Sequence, residues 1–399
     1  MLKALLLENI HPLASKALTA RGIEVINHKG ALDENELIEA LNGVQILGIR
    51  SKTQVTNKVI ENAKDLLVTG AFCIGTNQID LKSAAESGVA VFNAPFSNTR
   101  SVVELAISEI IALTRRLTER DKALHNGIWD KTADGAHEVR GKTLGIIGYG
   151  NIGTQLSVLA ENLGMSVVFY DTEEKLALGN AKRLGSLEEL LATSDVVTLH
   201  VDGRGGNAGL FGEREISKMK QGSILINLSR GFVVDTQALR DAIVSGHLSG
   251  AAIDVFPKEP KSRGDKFDSE LIGLPNVILT PHIGGSTLEA QESIGQFVSN
   301  KIQDYLFTGS TNLSVNLPNL SLDHTSGITR LAYLHKNTPG VLASVNNIFA
   351  ELGANIESQL LATRGENGYV VTDIGSDIDP QEFQNRLDAS LSIKLRVLK

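Results

Sequence analysis

Two rhythms of apolar and polar residues alternate along the first 97 positions. Short apolar runs, "KALLLEN", "GIEVINH", "VQILGIR", "DLLVTGAF" and "GVAVFNAP", are separated by "HPLASKALTAR", "DENELIEALN", "TNKVIENAK" and "LKSAAESG", whose apolar residues recur at helical spacing. The first rhythm predicts buried strands and the second amphipathic helices. Their alternation predicts a parallel sheet with helical crossovers. "SNTRSVVELAISEIIALTRRLTERDKAL" then predicts one long, deeply buried helix, with Ser101 and Glu104 at capping-box spacing. From residue 140 a second series follows: "GKTLGIIGYGNIG", "GMSVVFYD", "SDVVTLHV", "GSILINLSRG", "GAAIDVF" and "NVILTPH". The polar stretch "TGSTNLSVNLPNLSLDHTSG" predicts a linker with a hinge near 310–326. After it the pattern becomes strand, helix, strand, turn, strand, helix, strand, a βαββαβ order. The expected fold class is α/β, with two doubly wound parallel-sheet, Rossmann-like domains and a C-terminal ferredoxin-like βαββαβ domain.

Composition narrows the function classes. A chain of 399 residues exceeds what one core holds. Its net charge of -8 argues against a broad nucleic-acid footprint, though a few local cations can still capture a small anion. The single cysteine, Cys73, excludes an intramolecular disulfide and reads as a small buried hydrophobe. The opening "MLKALLLENIHP" is short and broken by Glu8, so it reads as a first strand rather than a signal peptide. No run approaches the roughly 20 apolar residues of a membrane span. A cytoplasmic protein with no membrane partner is expected, and no metal site.

The chemistry gathers at strand ends. "GIIGYGNIG" places Gly148, Gly150 and Gly153 between an apolar strand and a helix, and Asp171 ends the next strand. In that context Gly148 permits a tight turn, Gly150 lets the backbone approach a pyrophosphate, and Gly153 lets helix pack on strand. The helix N-terminus offers free N–H groups to phosphates. Asp171 suits a ribose, and Glu173 and Glu174 nearby would repel a 2′-phosphate, so NAD is preferred to NADP. Arg230, Asp254, Glu259 and His282 follow the ends of later strands. Histidine titrates where an acid/base for an alcohol proton must, a carboxylate beside it holds its tautomer, and arginine's fork suits a substrate carboxylate. In "LTPHIGGSTLEA", Ser286 and Glu289 again have capping-box spacing.

"GYGNIGTQ", "NLSRGFVVD", "AAIDVFPKEP" and "LTPHIGGST" together resemble the D-isomer-specific 2-hydroxyacid dehydrogenases, and "GIRSKT" and "NAPFSNTRSVVEL" extend the likeness. The resemblance implies a catalytic set of Arg230, Glu259 and His282. It implies a substrate domain made of 1–97 and 286–320, an NAD-binding domain over 98–285, and a cleft between them. Asn151, Ile152, Leu228, Ser229, Asp254, Gly284 and Gly285 join the three glycines, Asp171, Arg230 and His282 as cofactor contacts. Arg50, Ser51 and Asn98 become contacts for substrate anions, with Lys52 and Lys131 as added positive charge. The implied reaction is NAD-dependent oxidation of 3-phospho-D-glycerate. Reduction of 2-oxoglutarate stands as the alternative, as main or side activity. The chain departs from the family pattern in "LHVDGRGGNAGLFG", where three glycines between 203 and 206 predict a looser loop and Arg204 could meet an anion.

"LHKNTPGVL" and "GANIESQ" resemble the amino-acid-binding signature of ACT domains, expected over 326–399. Pro339 and Gly340 are expected to open a helix. The likeness implies that His335, Asn337 and Asn355 bind L-serine between neighbouring subunits as a feedback effector, and that the assembly is a homotetramer.

Overall fold

The structure, a computed structural model, describes residues 1–203, 205–260, 264–323, 329–375 and 378–398. They divide into two compact units, Met1–Ser97 with Gln291–Lys399, and Asn98–Ala290.

In the first unit the five N-terminal runs become β1 (Lys3–Leu6), β2 (Glu24–Asn27), β3 (Ile46–Ile49), β4 (Val68–Ala71) and β5 (Ala90–Phe92). They pair in parallel in the order β2-β1-β3-β4-β5. Strands β3 to β5 are buried at every position, as expected of a sheet covered on both faces. Helices start where the sequence supplies a cap: Asp33 and Glu36 form a reciprocal box, and Thr56 and Asp80 accept from their third helical N–H. The chain leaves β1 through two successive left-handed residues, Glu8 at φ 63° and Asn9 at φ 52°. Each costs about 1–2 kcal/mol for an L-residue.

The C-terminal βαββαβ comprises β13 (Thr329–Lys336), β14 (Ile356–Arg364), β15 (Asn367–Ile374) and β16 (Ser392–Leu398), with helices Val341–Glu351 and Pro380–Arg386. The sheet is antiparallel in the order β14-β15-β13-β16. It is not set apart from the first sheet. Ala332, Leu334, Tyr369 and Val371 share one core with Leu6, Phe92, Ile302 and Leu306. Arg396 donates to the carbonyls of Tyr305 and Leu306 at 3.0 and 2.8 Å, satisfying groups that a helix end leaves open.

The expected linker is a correction over 310–320. Thr311 is fully buried, with Oγ1 donating to the Pro318 carbonyl, and Asn316 accepts from Val91 N and donates to Val89 O at 2.9 and 2.8 Å. The polar residues that suggested a solvated hinge are used in hydrogen bonds, Ser314 and Asn316 with Val89 and Val91 at β5, Ser310 and Thr311 with Leu320 and Pro318. Residues 324–328 lie outside the described residues. Pro339 also precedes the helix rather than opening it, because the N-cap is Gly340 at φ 92°.

The second unit carries β6 (Thr143–Ile147), β7 (Ser166–Tyr170), β8 (Lys182–Arg183), β9 (Val196–Leu199), β10 (Ser223–Asn227), β11 (Leu248–Ile253) and β12 (Val277–Leu279), all parallel. The order is β12-β11-β10-β9-β6-β7-β8. The order reverses between β6 and β9, the switch point where such sheets bind ligands. Strand β8 is two exposed residues and has no apolar signal.

The single long helix is two, Thr99–Thr114 and Leu117–His125, broken at Arg116 with φ 53°. The break is stabilised where Arg116 grips Glu119 with two nitrogens. Both capping boxes read in this region fail. Asn98 is the first cap, Ser101 bonds Thr287, and Glu104 pairs with Arg100. At the later helix Thr287, not Ser286, accepts from Ala290 N at 3.1 Å. Spacing alone does not select among adjacent Ser and Thr residues. Among the described residues no helix is long and apolar enough to cross a membrane.

Candidate functional site

The glycine turn follows β6. Gly148 has φ 90°, and a Cβ there would meet the His200 carbonyl. A Cβ on Gly153 would meet the Gly148 carbonyl, so this residue must be small for the helix Asn151–Asn162 to close on the turn. Gly150 differs: a Cβ there would meet nothing within 4 Å. It is the helix N-cap with no side-chain cap bond, so the first N–H groups, including those of Asn151 and Ile152, stay available. Asp171 accepts from Tyr149 N at 2.8 Å, which places its carboxylate at the turn. A small residue against backbone, an open residue at the cap and an acid beside them fit a dinucleotide.

Arg230, Asp254 and His282 follow β10, β11 and β12, three neighbouring strands, so sheet order brings them to one edge. His282 Nδ1 and Glu259 Oε2 are 2.9 Å apart. Glu259 Oε1 accepts from Phe256 N at 3.1 Å, fixing the carboxylate. The Glu259 hydrogen bond holds the imidazole above its ordinary pKa, against the opposing effect of burial. Burial raises Glu259, yet bonds from His282 and Phe256, with the charges of His282 and Arg230, hold it below its ordinary value. Nδ1 is thus committed, and the half-exposed ring presents Nε2.

His282 sits in the left-handed region at φ 54°. Asp254, almost fully buried, explains how that turn is held. It accepts from Thr280 Oγ1, Ile283 N and Gly284 N at 2.6, 2.8 and 2.8 Å. Its carboxylate is therefore a buried anchor for the His282–Gly284 turn. Leu228 and Ser229 are buried beside this edge, with Leu228 Cδ2 3.7 Å from where a Cβ on Gly284 would stand. Asn98 lies against Gly285, its buried Oδ1 without a partner.

Sequence reasoning missed two buried groups. Glu109 is 3% exposed and neither carboxyl oxygen has a partner. Burial and the charge of Asp254 push its pKa up to about 8. A signal existed, since it continues the stripe Val102, Ala106, Ile110 and Leu113 with an acid at a buried position. His200, partly buried and with its Nδ1 shielded from solvent and unpartnered, is pushed down to about 4 by desolvation. It ended an apolar run, which carried no hint of an unfilled nitrogen.

The described residues of the loop after β9 make defined contacts. Residues Gly205–Asn207 form a 3-10 turn, Asn207 bonds Asp202 twice at 3.0 Å, and Phe211 bridges to Val234. Arg204 lies outside the described residues. Lys131 is exposed in the segment after Trp129 and pairs with none of these groups. In the first unit, Arg50, Ser51 and Lys52 form the turn after β3. Cys73 is only half-buried and donates to the Gly75 carbonyl at 3.2 Å.

The three effector candidates do not meet within one chain. His335 and Asn337 close β13, at the row where Lys336 faces Asn367, whereas Asn355 precedes β14 at the row of Ile356 and Ile374. Ile374 also faces Thr329, seven residues back along β13 from Lys336, so the two ends stand roughly 23 Å apart at ~3.3 Å per residue. His335 is buried with Nε2 unpartnered, while Asn337 and Asn355 are exposed.

Residues 107–284 match the family model of the D-isomer specific 2-hydroxyacid dehydrogenase NAD binding domain, and residues 331–388 match an AHAS small subunit-like ACT domain. The chain is 53% identical to a D-3-phosphoglycerate dehydrogenase of Escherichia coli K12, over 96% of this chain and 93% of that one. It is 50% identical to one of Haemophilus influenzae, over 100% and 97%. A crystal structure of D-lactate dehydrogenase from Aquifex aeolicus, complexed with NAD and lactic acid, superposes with a TM-score of 0.66 at 27% identity, covering 76% of this chain and 95% of that one.

Proposed function

Since this chain belongs to the D-isomer-specific 2-hydroxyacid dehydrogenases, we propose that it catalyses NAD-dependent oxidation of 3-phospho-D-glycerate to 3-phosphohydroxypyruvate, the first step of L-serine synthesis. The observation that carries the reading is the Glu259–His282 pair, with Arg230 on the neighbouring strand end of the same sheet as the glycine turn. Arg230 takes the substrate carboxylate and aligns carbon 2. His282 Nε2 accepts the hydroxyl proton, and Glu259 stabilises the imidazolium that results. Bound NAD, held by Gly148–Gly153 and Asp171, supplies the hydride acceptor. In the reverse direction His282 returns its proton to the carbonyl oxygen. Arg50 and Ser51 are assigned to the substrate phosphate, because among the described residues their side chains have no hydrogen bond or ion pair.

Serine inhibition through His335, Asn337 and Asn355 belongs to the same proposal. The split of these residues supports a site assembled from two copies. Trp129 and Ile128, 80% and 58% exposed beside a helix that buries nothing, support a second contact between copies and so a homotetramer. A cytoplasmic location goes with this reading.

The test is NADH absorbance with purified protein, 3-phosphoglycerate and NAD at alkaline pH, with and without L-serine. Turnover suppressed by serine is expected. Turnover indifferent to serine would remove the effector assignment, and NADH oxidation with 2-oxoglutarate alone would move the substrate to that dicarboxylate. Activity retained in His282→Ala or Arg230→Ala would sink the catalytic assignment.

A further inference from the structure

The exit from β1 is strained without a visible local need. Glu8 and Asn9 are both left-handed, and neither is glycine. Left-handed pairs of ordinary residues persist where the surroundings over-determine them, and they cluster at functional sites. The turn aims the Glu8 side chain beneath the turn that follows β3, the next strand in the sheet. There Glu8 Oε2 accepts from Lys52 N at 3.0 Å and Oε1 from Thr53 N at 2.8 Å. The carboxylate is 8% exposed and forms no ion pair among the described residues, so two backbone N–H groups are its partners. On the other side Gln78 Nε2 donates to the Arg50 carbonyl at 2.6 Å, and Gln78 O accepts from Val55 N. The Arg50–Val55 segment is thus tied from both flanks by buried groups of other loops.

What this frame presents outward is a set of donors. Ser51 and Lys52 are exposed and Arg50 is half-buried. A long cationic side chain binds an anion better when the backbone beneath it is already ordered, because less freedom is lost on binding. A negative charge under an anion-binding turn would otherwise be a poor arrangement. It makes sense if its use is to set the turn, leaving the ligand to the side chains above.

We propose that Glu8 is a positioning residue that presets the Arg50–Lys52 turn for the phosphate of the substrate. The inference rests on the reading that this turn takes the phosphate. It assigns a role in substrate affinity, not in the chemical step.

Glu8→Gln keeps the shape but turns one acceptor into a donor facing an N–H. It is expected to raise KM for 3-phosphoglycerate about tenfold, with kcat within about threefold and KM for NAD within about twofold. Asn9→Gly, which relaxes the backbone and leaves the carboxylate in place, is expected to keep KM for 3-phosphoglycerate unchanged. Arg50→Ala on the same substrate separates the two layers. If Arg50→Ala raises KM and Glu8→Gln does not, the role of Glu8 is overturned while the turn's assignment stands. If Arg50→Ala leaves KM unchanged, the phosphate reading fails and the inference falls with it. An equal loss in kcat and both KM values with Glu8→Gln would mark a structural residue and also overturn it. Should Glu8→Gln not fold, Glu8→Asp, which keeps the charge but cannot span both N–H groups, is read by the same criteria.

Discussion

At the scale of single residues, two carboxyl groups of the second unit are set in opposite senses. Glu259 is held ionised and lifts the histidine pKa. Oxidation needs the neutral imidazole, so kcat/KM should rise with pH through a value above 6.5. Glu259→Gln removes the charge that favours the imidazolium. The rising limb should move to lower pH, with kcat reduced at least about tenfold. A pH–rate profile unmoved by the substitution would show that Glu259 does not govern this proton. Glu109 is the reverse case, raised from 4.5 to about 8, so folding favours its protonated form. The cost is absent below the ordinary carboxylate range, grows as pH rises toward 8 and is constant beyond it. Glutamine cannot ionise. Between pH 5.5 and 7.5 the stability difference should therefore shift toward Glu109→Gln by about 2 kcal/mol. Urea titrations at the two pH values test this, and a constant difference would refute it. The Arg230, Glu259 and His282 types were readable from the chain because each follows an apolar run. Glu109 was not read because its acid lies inside a helix stripe, where a charge is ordinarily assigned to solvent.

At the scale of elements, the strand–turn–helix from Thr143 to Asn162 separates two uses of glycine. Gly153 is needed against the Gly148 carbonyl, whereas Gly150 faces open space. Gly153→Ala should lower stability by a few kcal/mol, as overpacking against backbone does. Gly150→Ala should fold with a Tm near that of the parent but weaken NAD binding about tenfold or more, since a methyl would stand where a pyrophosphate approaches. Differential scanning calorimetry with NAD titration separates the two. Equal Tm losses would mean that both glycines serve packing. Element types were largely legible, because strand and helix periods differ. Element ends were less so. The break at Arg116 and the cap at Thr287 depend on Glu119 and on the start of the later helix, which local spacing does not choose.

At the scale of the whole molecule, the effector residues make a prediction about assembly. His335 and Asn337 close one end of the C-terminal sheet and Asn355 opens the other, so a single serine cannot touch all three within a copy. Asn337→Ala and Asn355→Ala should each abolish serine inhibition. Co-assembled from the two variants, a dimer should regain it in part, because one of its two composite sites then carries both defects and the other none. Mixed assemblies as insensitive as the parents would refute a shared site. The segment 310–320, read from its polarity as a solvated linker, is packed against β5 instead. A free hinge is therefore not available over those residues.

By itself the sequence determined what short-range regularity encodes: two parallel α/β series, a βαββαβ end, a glycine turn and polar residues at successive strand ends. These follow from periods of two and 3.6 residues and from the backbone freedom of glycine, which are local properties. Only the tertiary structure decided which polar side chain meets which backbone group. Asp254 under the His282 turn, Glu8 under the Arg50 turn, and Asn316 on β5 join positions 29, 44 and 225 residues apart in the chain. Such pairings are chosen by the unmet donors and acceptors of the folded backbone, which must be satisfied once water is excluded, and no one-dimensional pattern records where those fall.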